Sequence, residues 1–113
     1  MKRPVVSVLA GLMAGLLSFN SAWAEDNKVE ATQHALAAAE SGKKGDAAAA
    51  GEHAATAKTH AEAAEKEKTN PHLEAGIKNL NDAIEHAKMG HADKAAESSN
   101  AAATHLKAAE KSF

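Results

Sequence analysis

Residues 71–89 carry a helical rhythm of apolar positions. Leu73, Ile77, Leu80, Ile84 and Ala87 follow one another in steps of four and three. Each residue of an α-helix turns about 100°, so these five positions share one stripe. The same rhythm recurs in alanine over Ala47, Ala50, Ala54, Ala57, Ala61 and Ala64. A third stripe runs Ala92, Ala95, Ala102, Leu106, Ala109 and Phe113, with polar Ser99 at one step. Three interruptions divide the pattern: Gly42-Lys43-Lys44-Gly45, Thr69-Asn70-Pro71 and Met89-Gly90. Pro suits the first turn of a helix and Gly the position just past its end. Helices are therefore predicted near 27–41, 46–68, 71–89 and 92–112. Connections this short make neighbours antiparallel. The predicted fold is all-α, an antiparallel up-down four-helix bundle with an Ala-rich core. Two loosely docked hairpins are the alternative.

The two halves read as copies. With a shift of 45 residues, Lys43–Lys66 falls on Lys88–Lys111 with twelve of 24 positions identical. The matches include Gly45 with Gly90, and Thr59-His60 with Thr104-His105. A duplicated helical hairpin, about 27–68 and 71–112, accounts for this.

Ahead of the helices, Lys2 and Arg3 precede an apolar run from Val5 to Leu17, then Ala22-Trp23-Ala24. This is the layout of a secretory signal peptide, residues 1–24, and the run is short of the roughly 20 residues that cross a bilayer. A periplasmic or secreted domain, 25–113, is expected, with no stable membrane anchor after cleavage. That domain has 89 residues, 26 of them Ala and none Cys. Its larger apolar residues are Val29, Leu36, Leu73, Ile77, Leu80, Ile84, Met89, Leu106 and Phe113, so a thin core is expected. Without Lys2 and Arg3 it carries 11 basic and 15 acidic residues, a net charge of −4. No basic patch or aromatic surface is present for nucleic acid.

Seven His remain, and each directly precedes an apolar residue: His34, His53, His60, His72, His86, His91 and His105. The imidazoles should flank the core at its border with water. Spacings of seven and fourteen place those of one helix in a column. Under the 45-residue shift His60 pairs with His105, whereas His34 falls on Asn79, His53 on Ser98, His72 on Asn27, His86 on Ser41 and His91 on Asp46. Neutral imidazole suits Cu(II), Ni(II) and Zn(II), with Cu(II) favoured on affinity. Residues seven apart lie about 10.5 Å apart along a helix and cannot share an ion. A site needs a carboxylate one turn away or a His from the next helix. Glu30 with His34 and Asp82 with His86 are such i, i+4 pairs. His86 and His91 bracket a tight turn, with Asp93 nearby, and are the favoured single site. The matching turn of the first half holds Ser41 and Asp46, a poorer pair.

The run Asn70-Pro71-His72-Leu73-Glu74-x-Gly76-Ile77-Lys78 and the run Ala83-Ile84-Glu85-His86-x-Lys88-Met89-Gly90-His91-Ala92-Asp93 resemble the small metal-binding protein (SmbP) family. The seven-residue spacing of His53 and His60 adds a weaker echo. The resemblance implies a periplasmic helical bundle binding several divalent metals, copper among them, for storage or tolerance. It implies ligand roles for all seven His. The sequence departs from the pattern at Ser41, Asp46, Asn79 and Ser98. The function expected is sequestration of divalent metal ions without catalysis. No H-E-x-x-H motif and no Ser/His/Asp arrangement is legible. The alternative is a non-metal amphipathic interaction module whose histidines sense pH. A protein partner is not indicated.

Overall fold

The computed structural model describes residues 26–112. The expected signal peptide, 1–24, lies outside the described residues, as do Glu25 and Phe113. Four helices follow in order: α1 (Asp26–Lys43), α2 (Ala47–Glu67), α3 (Pro71–Lys88) and α4 (Ala92–Ser112). Each packs on its chain neighbours, and α1 closes the ring against α4. Across the diagonal, α2 comes close to α4. This is the predicted bundle, with helix bounds within two residues of expectation.

The turns follow from residue chemistry. Gly45 has φ 86° and Gly90 φ 78°, the left-handed conformation that ends a helix. At the first turn Asp46 N–H donates to Ser41 C=O at 2.9 Å, and Gly45 N–H to Gly42 C=O at 3.0 Å. His91 N–H repeats the first bond to His86 C=O at 2.9 Å, and Gly90 N–H the second to Ala87 C=O at 3.0 Å. These paired bonds form the same helix-ending motif in both hairpins. Asp46 then caps α2, its carboxylate accepting from Ala49 N–H at 3.0 Å. Asn70 caps α3, its Oδ1 accepting from His72 N–H at 2.7 Å, with Pro71 in the first turn.

Among the described residues the buried apolar ones are 15 alanines and three leucines: Leu73, Leu80 and Leu106. One expectation is sharpened here and one is corrected. Val29 and Leu36 face solvent, so the core is thinner than a count of large apolar residues suggests. In α3 the deepest stripe is Leu73, Gly76, Leu80 and Ala83, while Ile77 and Ile84 pack against its margin. The cause is close approach of α4: a Cβ on Gly76 would meet Leu106 Cδ2 at 3.0 Å. Small residues go to the seam and branched ones beside it.

A related pair of seams joins the hairpins. A Cβ on Gly42 of α1 would lie 2.6 Å from Ala92 O and 2.8 Å from Ala96 Cβ, on α4. A Cβ on Gly51 of α2 would lie 3.0 Å from Ala87 Cβ, on α3. The 45-residue shift maps Gly42 onto Ala87 and Gly51 onto Ala96. Each seam thus has one Gly, placed on opposite partners. Thr32 adds a polar link across α1 and α4, its hydroxyl donating to Glu110 Oε2 at 2.6 Å.

Candidate metal centre

Histidine positions follow from the stripes. Each precedes a core or core-margin position, so most rings stand at the bundle's rim. His34, His53, His86 and His105 are half-buried, His60 is buried, and His72 and His91 are exposed. The helices bring them together in three places.

The densest group lies between α1 and α2. His34 points from α1 toward α2, its ring centre 5.8 Å from that of His53 and 5.8 Å from that of His60. The His34 and His60 planes differ by 5°. Glu30, one turn before His34, brings Oε1 to 3.8 Å from His34 Nε2. Glu30, His34 and His60 each offer a donor atom, all within 4.8 Å of one another. Both requirements argued from helix geometry are met here: a carboxylate one turn away, and a His from the next helix.

Around this group, hydrogen bonding orients His60 and burial favours neutral His34. Asn27 Oδ1 lies 3.0 Å from His60 Nδ1. An amide oxygen only accepts, so the contact places the ring proton on Nδ1 and leaves the Nε2 lone pair for a ligand. Burial is the largest influence on His34 and holds its imidazolium below the usual histidine range. Neighbouring His53 and His60 lower it further, while Glu30 acts in the opposite direction. His34 Nδ1 is buried with no hydrogen-bond partner. A buried, unpaired nitrogen on a ring flanked by other imidazoles fits a position where a cation supplies the missing partner.

In the second hairpin His72 and His105 stack at 5.8 Å. They occupy the places of Asn27 and His60, so the same rim position pairs two imidazoles in one copy and an amide with an imidazole in the other. Asn79 and His105 share a surface depression, in the places of His34 and His60. The third pair, His86 and His91, meets at 6.3 Å. The turn explains it, because the His91 N–H to His86 C=O bond draws the two residues together.

Sequence reasoning favoured that turn as the best single site. The three-donor group found among the described residues lies instead on the first hairpin. No ion pair joins Asp82 to His86 among the described residues, and Asp82 is exposed. Asp93 is exposed and shares a surface depression with His91. Asp46, which departs from the His pattern, has its carboxylate engaged in capping α2.

The family model described as small metal-binding protein matches residues 2–109. The chain belongs to the small metal-binding protein family. A comparison with curated proteins finds no match. For a small metal-binding protein the arrangement is apt: imidazoles in rows at the rim, open to water on one side, with one row reinforced by a carboxylate. Asn27 is the supporting residue that sequence spacing marked only as a partner slot for His72.

Proposed function

We propose that this protein captures divalent transition-metal ions at the bundle rim, without catalysis, to buffer them or protect against them. The observation that carries the reading is the Glu30–His34–His60 group, whose donors converge within 4.8 Å. His53, His72, His86, His91 and His105 extend the capacity in pairs. Cu(II) is the preferred ion because imidazole-rich sites follow the affinity order that peaks at copper, with Ni(II) and Zn(II) as competitors. Thiolate is absent, since the chain has no Cys, so imidazole nitrogen and carboxylate oxygen are the principal donors, with the exposed Met89 thioether the one sulfur near a histidine pair. Export fits the leader-like start, and a periplasmic or secreted location puts the rim in contact with environmental metal. The matched bounds of the two hairpins support descent from one duplicated unit, with histidines lost at Asn79 and Ser98.

Calorimetric titration of the mature chain with Cu(II), Ni(II) and Zn(II) tests the reading. Uptake near neutral pH is expected, with Cu(II) tightest. His34→Ala plus His60→Ala should remove the tightest step. His86→Ala plus His91→Ala should remove a weaker one. A wild-type chain that takes up none of the three ions overturns the proposal.

A further inference from the structure

We propose that His34 bridges two metal ions, one shared with Glu30 and His60 and the other with His53. The inference rests on reading the Glu30–His34–His60 group as an ion site, and adds a second ion to it. His53 and His60 are seven residues apart on α2, about 10.5 Å along the axis, too far to share an ion. Both nevertheless place their ring centres 5.8 Å from His34. Two imidazoles whose nitrogens each sit about 2 Å from one ion hold their centres roughly 5–6 Å apart. Each gap therefore has the width of a shared ion.

His34 has a nitrogen for each side. Nε2 lies 3.8 Å from Glu30 Oε1, which assigns it to the first ion in this proposal. Nδ1 is buried and has no hydrogen-bond partner, which leaves it for a second ion. A neutral imidazole has one lone pair. To bind through both nitrogens, His34 releases its remaining ring proton to water as the second ion arrives. The resulting imidazolate carries one negative charge between two dications and offsets part of their repulsion. Sharing is confined to the first hairpin, because the second carries Asn79 and Ser98 at the positions of His34 and His53.

Two measurements test the bridge. The first uses the full mature chain with His72, His86, His91 and His105 each replaced by Gln, titrated with Cu(II) and followed by electron paramagnetic resonance. One equivalent should give one spin per chain. A second equivalent should pull the integrated signal below one spin, because electrons on two Cu(II) ions couple through an imidazolate. His53→Ala in that background should hold one ion with its full signal. A signal that climbs to two spins overturns the bridge, as does a coupled second ion in His53→Ala. Failure to retain even the first equivalent sinks the ion site itself, a separate result. The second measurement is Zn(II) calorimetry on the otherwise unaltered chain, and it decides the matter if the fourfold variant loses helicity. His53→Ala should lower the stoichiometry by one ion and His34→Ala by two. Loss of one ion in both overturns the proposal.

Discussion

His34 stands half-buried between two imidazoles and a carboxylate, and its proton affinity reflects that setting. Burial, His53 and His60 lower it below the ordinary histidine value, against the pull of Glu30. The unfolded chain then binds the proton more readily than the folded one. The stability due to neutral His34 is full above the unfolded value of about 6.5 and is lost as pH falls through the lower folded value. Metal-free protein should therefore melt at lower temperature as pH drops from 7 to 5. His34→Gln should flatten that slope, and an unchanged slope would assign it to other groups. Ser99 makes a second residue-scale point. It is fully buried in α4, and its hydroxyl has no partner; the shifted position is Ala54. Ser99→Ala should gain about 1 kcal/mol in urea unfolding, since a lone buried hydroxyl costs more than a methyl. Ser99 was visible in the sequence as the polar step in an apolar stripe. His34 was visible as the i, i+4 partner of Glu30, but its place beside both His53 and His60 was not, because i, i+7 spacing on α2 says nothing about which α1 side chain falls between them.

Along single helices, sequence periodicity located all four elements and their turns. It misjudged which face lies deepest. In α3 the apolar count favoured Ile77 and Ile84, whereas the buried face includes Gly76 and Ala83. Hydrophobicity and closeness of approach are different quantities, and small residues register only the second. Gly42 carries the sharpest consequence. Gly42→Ala puts a Cβ 2.6 Å from the backbone oxygen of Ala92, which can yield only if α1 and α4 separate. Gly51→Ala meets only the Ala87 methyl at 3.0 Å. Denaturant unfolding should show Gly42→Ala costing about 1–3 kcal/mol and Gly51→Ala less. Equal costs would contradict the seam described. At the turns, Gly90→Ala has open space around it yet must keep φ 78°. It should cost about 1 kcal/mol. By loosening the bond between His91 and His86 it should also weaken metal uptake at that pair, leaving the Glu30 group unaffected in the same titration.

For the molecule as a whole, fold class and helix order were legible because loops of three residues leave few topologies. The convergence of Glu30, His34 and His60 was not legible, because it depends on lateral pairing between helices. The thin core makes ligand linkage prominent: an ion at 100 times its Kd adds about 2.7 kcal/mol to stability. Cu(II) should raise the melting temperature and a chelator should reverse the rise. An identical melting curve with and without metal would detach binding from the fold.

Every close histidine pair described here lies inside one hairpin: His34 with His53 and His60 across α1 and α2, His72 with His105 and His86 with His91 across α3 and α4. Ions held this way fasten each hairpin to itself, while the halves are held to each other by the shared apolar core, the Thr32–Glu110 link and a three-residue strap. Filling the rim thus strengthens the parts more than their union. A saturated chain should lose its single cooperative melt and come apart as two separately persistent modules, much as a hinged case opens once each leaf has been stiffened.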